Sequence, residues 1–442
     1  MKMLKNLNFG VRGWILLIYQ TLAFVAFTVF SNWPMNILAD MYGGATTLSS
    51  LYTTGAVIAI VIQLILSSFI GKIKSVKRLG AIIGTIAMVF IVCIMVIPAS
   101  MQGAWQACYL IECIFGPMWA TFSVSTLVGQ WFPTKKGIFM GIATLAFPIV
   151  NGLSGAFAGA VFAGGIPNVT GAFMPYFIIC LVGFIIGIAV VKDYPEQCGA
   201  YRDNDKNMTP EIAKAMLDEE IKNKRTSVWR TGGCLSSRDY WLITIPCGFL
   251  LMFSVGTMTQ TASIIGSYGA AMDPFGGFAG VMLMIAVFGV IGSLVIGFLD
   301  QGLGTKKAMI IACAAMLVSG IFGMIHSAGA TVAALIMLAI FMGASSNFTV
   351  SAAAQYWRRE DFSSVFSVLN PVANLLSAIG PMIIAFMMVS RGTTGVFGVI
   401  LAAGILGVIL LCLFSPKNVK KVDDKRREKA GKVLDDALVG RK

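Results

Sequence analysis

Long apolar stretches recur from one end of the chain to the other, each ended by a short polar or charged break. A run such as Leu79 to Ile97 is continuous, with no apolar–polar alternation. About 20 such residues cross a hydrocarbon core roughly 30 Å thick. In lipid the backbone must satisfy its own hydrogen bonds, which leaves helices and closed barrels. Barrel strands would read as alternating segments of about 10 residues, so the continuous runs predict helices. The breaks place spans near 13–38, 47–70, 79–97, 104–128, 138–162, 172–191, 240–266, 277–298, 308–326, 331–354, 363–388 and 394–414. The first has a basic flank (Lys2, Lys5) like a signal peptide, but no small-residue cleavage site follows, so it is retained as a span.

Polar side chains are spread unevenly over these spans. Spans three, six, nine and twelve carry few, chiefly Thr85, Tyr176 and Ser319. Spans one and four carry Tyr19, Gln20, Thr28, Asn32, Gln106, Glu112, Thr121 and Ser123. Spans seven and ten carry Ser254, Thr257, Gln260, Ser346 and Asn347. Polar groups at membrane depth face the bundle interior or a wet cavity. Every third helix is therefore expected at the periphery, and the first helix of each triplet at the centre.

Charge fixes the expected orientation. Only 12% of the 442 residues are charged, about half the usual share of a soluble domain. Of the 33 basic residues, 32 fall in the termini and in the loops after even-numbered spans, and only Arg391 falls on the other side. The positive-inside rule then puts both termini and the central loop in the cytoplasm of a cell inner membrane. The net charge of +13 is thus explained by topology, without a nucleic-acid surface. The nine cysteines, mostly within spans, show neither metal spacing nor a disulfide framework. His326 reads as an interfacial residue at a helix end.

The chain repeats itself. At an offset of 226 residues Arg12 meets Arg238, Phe27-Thr28-Val29 meets Phe253-Ser254-Val255, Tyr42-Gly43 meets Tyr268-Gly269, and Gly71 meets Gly297. Phe122 to Ser125 meets Phe348 to Ser351, and at an offset of 223 Pro148-Ile149-Val150-Asn151 meets Pro371-Val372-Ala373-Asn374. The reading is an all-α membrane protein of twelve helices in two parallel six-helix repeats: a bundle over 1–191, a linker over 192–238 with an amphipathic helix capped by Thr209 and Pro210, a bundle over 239–414, and a basic tail over 415–442. The tail reads as solvated and membrane-attracted. Parallel repeats joined this way are one design of secondary carriers, with the solute site between the halves.

Glu112 stands out chemically. It lies about 12 Å deep in span four at 1.5 Å per residue, and its repeat counterpart is Leu338. Loss of water favours the neutral form of a carboxyl, which suits a group that must load and unload a proton; the competing use is a structural bond to a neighbouring helix. Phe115 and Trp119 follow at i+3 and i+7 and share its face, where they could stack on a flat or cationic solute or pack the core. Thr28, Ser254, Thr257 and Asn347 are candidate cavity donors, as are Asn151 and Asn374, which each follow a proline by three residues and could instead serve the backbone the proline frees.

The loop motifs resemble those of the major facilitator superfamily. Gly297-Phe298-Leu299-Asp300-Gln301-Gly302-Leu303-Gly304-Thr305-Lys306-Lys307 is similar to that superfamily's loop signature, in which a glycine, an acid and a basic pair link two helices. The first-half copy, Gly71-Lys72-Ile73-Lys74-Ser75-Val76-Lys77-Arg78, has Ser75 near the place of the acid, so the latch is expected to be held mainly by the second half. Gln130-Trp131-Phe132-Pro133-Thr134-Lys135-Lys136-Gly137 with Gly141 also resembles the superfamily, and Pro195-Glu196 with Gly199, Tyr201 and Asp203 is similar to bacterial members that carry small metabolites. The resemblance implies a cytoplasmic gate of Asp300 with Arg358 or Arg359, flanked by Lys306 and Lys307.

With no Lys or Arg inside a span, a multiply charged anion would find no counter-charge. The expected function is alternating-access transport of a small neutral or monovalent metabolite, proton-coupled through Glu112, by a monomer that needs no cofactor and whose partners are its solute, protons and lipid. The alternatives are an organic-cation or drug:proton antiporter, a monocarboxylate exchanger, and a non-transporting sensor or receptor on the same fold. No nucleophile–base pair or metal cluster points to an enzyme.

Overall fold

Ten helices among the described residues are long and apolar enough to cross a bilayer: Gly10–Met41, Ala45–Leu66, Val76–Val96, Ala99–Trp131, Phe139–Phe162, Val169–Ala189, Arg238–Thr259, Gly277–Leu303, Thr305–Gly323 and Phe362–Leu413. The structure, a computed structural model, describes residues 8–69, 73, 75–132, 135–205, 207–224 and 227–431. Gly71, Lys72, Lys74, Pro133, Thr134, residues 432–442 and the side chains of Lys136 and Arg359 lie outside them.

Two further features bear on the count of twelve. Ala328–Met342 and Asn347–Tyr356 pass the same test as one span bent by 44°. Phe362–Leu413 runs for 52 residues, about 78 Å if straight, more than twice the hydrocarbon thickness. It contains one non-helical residue, Gly392 (φ 61°, ψ −159°), a conformation open to glycine alone at low cost. The segments before and after Gly392 are counted here as spans eleven and twelve.

Burial sorts the spans. In the most apolar window of spans one, four and seven, 72%, 61% and 89% of residues are buried, against 44%, 28% and 44% in spans three, six and nine. The first set is central; spans two, five and eight, at 39%, 44% and 44%, are no more buried than the second set, whose exposed side chains include Ile82, Val89, Ile178 and Ile185. The two halves meet where span five runs along span eight, Gly155 against Ala279, and where the Thr53 hydroxyl of span two donates to the Ala378 carbonyl of span eleven at 2.8 Å.

Within the second half, spans seven and eleven touch backbone to backbone. A Cβ added at Gly256 would stand 2.7 Å from the Gly380 carbonyl carbon. Small residues permit such crossings in membranes, and overpacking them costs about 1–3 kcal/mol. Gly256→Ala is therefore expected to lower the unfolding temperature of the purified protein. Gly398→Ala, at a position with nothing within 4 Å, should not; equal shifts for both would count against the crossing.

The tail departs from expectation. Pro416–Lys429 is a helix docked on the bundle, with Val419, Asp423 and Arg427 buried. Its charges read as solvated because their partners lie far away in sequence: Arg358 bonds Asp423 at 2.8 Å, and Arg427 bonds Glu360 and Asp361. The linker carries the expected helix, Pro210–Lys224, entered through a hydrogen bond from the Ile212 amide to the Thr209 hydroxyl.

Candidate functional site

Two prolines shape the centre of the first half. Proline cannot donate to the helix ladder and crowds the preceding turn. Next to Pro34 and Pro117 the spans widen into π-helical turns, Phe27–Asn32 in span one and Met118–Val124 in span four. Such turns release carbonyls for other partners and recur at functional sites. Here Gln20 donates to the Ala120 carbonyl at 3.0 Å, and Asn370, from span eleven, reaches the Thr121 carbonyl at 3.4 Å across the seam between the halves.

Beside these turns lies a cavity between the halves, about 520 Å³ of empty space counting what is open to solvent. The first half lines it with Phe24, Phe27, Met140 and Phe147 and with the hydroxyls of Thr121 and Ser125. The second half contributes Ser254, Ser345, Ser346, Asn370, Asn374 and Ser377 beside Leu251, Val255 and Met342. A second cavity of ≈ 370 Å³ shares Phe27, Thr121, Asn374 and Ser377 and extends along span two past Tyr52 and Gln63.

Glu112 is fully buried but belongs to neither lining. Its carboxylate accepts from the Ser31 hydroxyl, at 2.9 Å to Oε2 and 3.2 Å to Oε1. The Ser31 carbonyl in turn accepts from Tyr109 at 2.6 Å. Gly116, one turn on, leaves the room that the carboxylate occupies. Glu112 therefore sits behind span one, bonded to the same π-helical turn whose Phe27, one turn back from Ser31, faces the cavity.

Of the residues singled out in the sequence, Ser254 and Asn374 line the cavity. Phe115 and Trp119 do not. Trp119 is fully buried within the first half, its indole donating to the Tyr19 hydroxyl at 2.9 Å, and Phe115 packs on the core. Thr121, within the π-helical turn, lines the cavity instead, so another face of span four than the one expected meets the seam. Thr28 bonds its own Phe24 carbonyl at 2.9 Å. Asn151 bonds the Phe147 carbonyl at 2.9 Å, the residue before its proline, and lies outside both linings. Asn374 makes the same bond to Asn370. The Thr257 hydroxyl is buried without a partner. Asn347 instead joins the halves, donating to the Thr144 hydroxyl at 3.0 Å. Thr121 and Ser346, from the polar set of spans four and ten, line the cavity too; sequence reasoning missed Phe27, Phe147, Asn370 and the serines at 345 and 377, and of these only Asn370, beside Pro371, carried a local signal.

The halves are clasped beyond both ends of the cavity. On the face away from the linker Asn36 donates to the Met258 carbonyl at 2.7 Å and Gln260 to the Ser49 hydroxyl at 3.3 Å. On the linker face Phe362 packs against Gly129. Asp300 accepts from Thr305 at 2.6 Å, while Arg358 bonds Asp423 and Asp424 of the tail. Lys306 donates to the Phe414 carbonyl at 2.7 Å, and Lys307 is exposed. The first half has a latch as well. Asp193, from beyond span six, accepts from the Ser75 hydroxyl at 2.6 Å and the Lys77 amide at 2.8 Å, supplying the acid that the loop itself lacks. Asp203 likewise accepts from the Lys135 amide at 3.0 Å.

Comparison with known proteins agrees with this architecture. Residues 248–440 match the family model described as Major Facilitator Superfamily. The chain is similar in structure to the proton:xylose symporter XylE bound to 6-bromo-6-deoxy-D-glucose, with a TM-score of 0.71 and 12% identity over 91% of this chain and 95% of that one. It is also similar to the human organic anion transporter MFSD10, with a TM-score of 0.63 and 12% identity over 90% of this chain and 98% of that one. No curated protein matches it in sequence.

Proposed function

We propose that the chain is a member of the Major Facilitator Superfamily, whose family model matches residues 248–440, and that it is a secondary transporter of a small neutral or monovalent organic solute, driven by protons through Glu112. The observation that carries the reading is the cavity at the seam, walled by both halves and holding no charged side chain. The clasps around it are few and mostly uncharged, so each can open without stranding a buried charge. The linker face is taken as cytoplasmic from its excess of Lys and Arg.

Glu112 enters this scheme through span one. Protonation exchanges a carboxylate that only accepts for an acid that can donate, which changes the bond to Ser31 and, through the same π-helical turn, the setting of Phe27. The solved relative with the higher TM-score is titled a proton symporter, and coupling of that kind supports this reading. Antiport of a cation is the second reading; the acid at Glu112 favours it, and its place outside the cavity lining weighs against direct contact with the cation.

Alternating access is testable at the clasps. In a variant lacking the nine native cysteines, cysteines placed at Ser49 and Gln260 and joined through two disulfides by a short bis(methanethiosulfonate) reagent are expected to abolish solute-evoked currents on solid-supported membranes, screened over small neutral and monovalent metabolites. Reductant should restore them. Undiminished currents in the cross-linked protein would refute rocking of the halves.

A further inference from the structure

Building on the carrier reading of the same cavity, we infer that the solute is an uncharged molecule with a flat apolar ring and a hydrogen-bonding edge, held with the ring on the first half and the edge on the second. The two walls differ in chemistry. On the first half, Phe27 and Phe147 lie with ring planes 18° apart and centroids at 6.3 Å. With Phe24 and Met140 they make a continuous apolar face. Flat rings favour offset stacking on such a face, and thioethers tolerate varied outlines.

The second half supplies most of the polar groups, all neutral, beside Leu251, Val255 and Met342. Ser254 and Ser345 both spend their protons on the Met342 carbonyl, at 3.4 and 2.8 Å, which leaves their oxygens as acceptors. Ser346 and Ser377 line the cavity with hydroxyls bonded to no protein group, which leaves them as donors. Asn374 uses one amide hydrogen on Asn370 and keeps its carbonyl oxygen and its other hydrogen. This wall can therefore pair with an edge that both donates and accepts, such as a carboxamide, lactam or alcohol.

Charge and shape exclude the competitors. Neither cavity is lined by a charged side chain, so an ion stripped of water would meet no counter-charge. A pyranose could set a C–H face on the phenylalanines, but hydroxyls run round its whole edge, and those turned away from the second half would lose their hydrogen bonds to water. A ring with one polar edge satisfies both walls, and an apolar substituent would point towards Ala56, Ala59 and Ile60, which line the adjoining cavity.

The test uses thermal unfolding of the purified full-length protein with four probes at equal concentration: benzamide, benzoate, benzylammonium and D-xylose. Benzamide alone is expected to raise the Tm. Phe27→Leu and Ser377→Ala, each first shown to fold by its own cooperative transition, should weaken benzamide binding by about tenfold, the effect of losing one ring contact or one buried hydrogen bond. Absence of a benzamide shift, a larger shift with either ion or with xylose, or benzamide binding unaltered in both variants would overturn the assignment. Those outcomes leave the cross-linking result at Ser49 and Gln260 untouched, so loss of the solute class and loss of the carrier reading are separately visible.

Discussion

Replacing Asp423 with alanine is expected to release the tail helix from the bundle and to lower stability by about 3–5 kcal/mol, the range for removing one partner of a buried ion pair. Asp423 is fully buried, and its partners include the Trp229 indole at 2.8 Å, Arg358 at 2.8 Å and Arg427 at 3.3 Å. Arg358 has a side-chain exposure of 1%, so alanine would leave its guanidinium inside and short of its buried carboxylate, with the more exposed Asp424 at 3.4 Å among its remaining partners. Arg427 keeps Glu360 and Asp361, which places the loss chiefly at Arg358. Asp423→Asn can still accept from Trp229 and should fall between wild type and alanine. Hydrogen exchange over residues 416–429 reads the docking directly, and protection as strong in Asp423→Ala as in wild type would disprove it. Asp361 adds a pH dependence. Burial, with Asp423 and Glu360 nearby, pushes its carboxyl up to about 6 despite Arg427 and the Ser227 hydroxyl. The folded state thus holds this proton more tightly than the unfolded chain, whose carboxyl has the ordinary value of 3.8. The contribution of this group to folding stability is accordingly greatest below that value, is lost as pH rises towards about 6, and is level above it.

The spans and the repeat were legible because lipid imposes them locally. A run such as 79–97 can only be a membrane helix, and the expected break between 388 and 394 contains Gly392, the non-helical residue of a 52-residue helix. The equivalent asparagines were legible too: Asn151 and Asn374 make the same bond to the carbonyl before their prolines. What periodicity leaves open is which face of a helix meets the seam. Glu112, Phe115 and Trp119 do share one side of span four, but that side turns into its own half, because the π-helical turn after Pro117 and the Tyr19–Trp119 bond set its rotation. The polar wall was hidden for a different reason. Ser345 and Ser377 resemble any helical serines until spans ten and eleven bring them together beside Ser346, which the sequence places at the centre. The tail was misread because composition cannot distinguish a solvated charge from one whose partner, such as Arg358, lies 65 residues away.

Glu112→Gln is expected to leave folding and downhill solute exchange intact while removing the response to a pH gradient. Glutamine matches the shape of the acid, and its carbonyl oxygen can accept the Ser31 hydroxyl as Oε2 does now, but it cannot carry a proton. The site is fully buried, and an ionised carboxylate at membrane depth is costly, so the acid has reason to bind a proton whenever the path to Ser31 opens to the acidic side. In a symport of one proton per solute, a gradient of one pH unit supports about tenfold accumulation at balance, because one unit is worth about 1.4 kcal/mol. Wild-type proteoliposomes should approach that ratio under an imposed gradient, and the glutamine variant should stop at equal concentrations. A cation antiporter would respond to the same gradient with the opposite sign and lose that response in the same variant. If wild type and variant accumulate solute alike, with and without the gradient, the bond between Glu112 and Ser31 only holds span one against span four, and coupling must be sought among the groups that face the cavity.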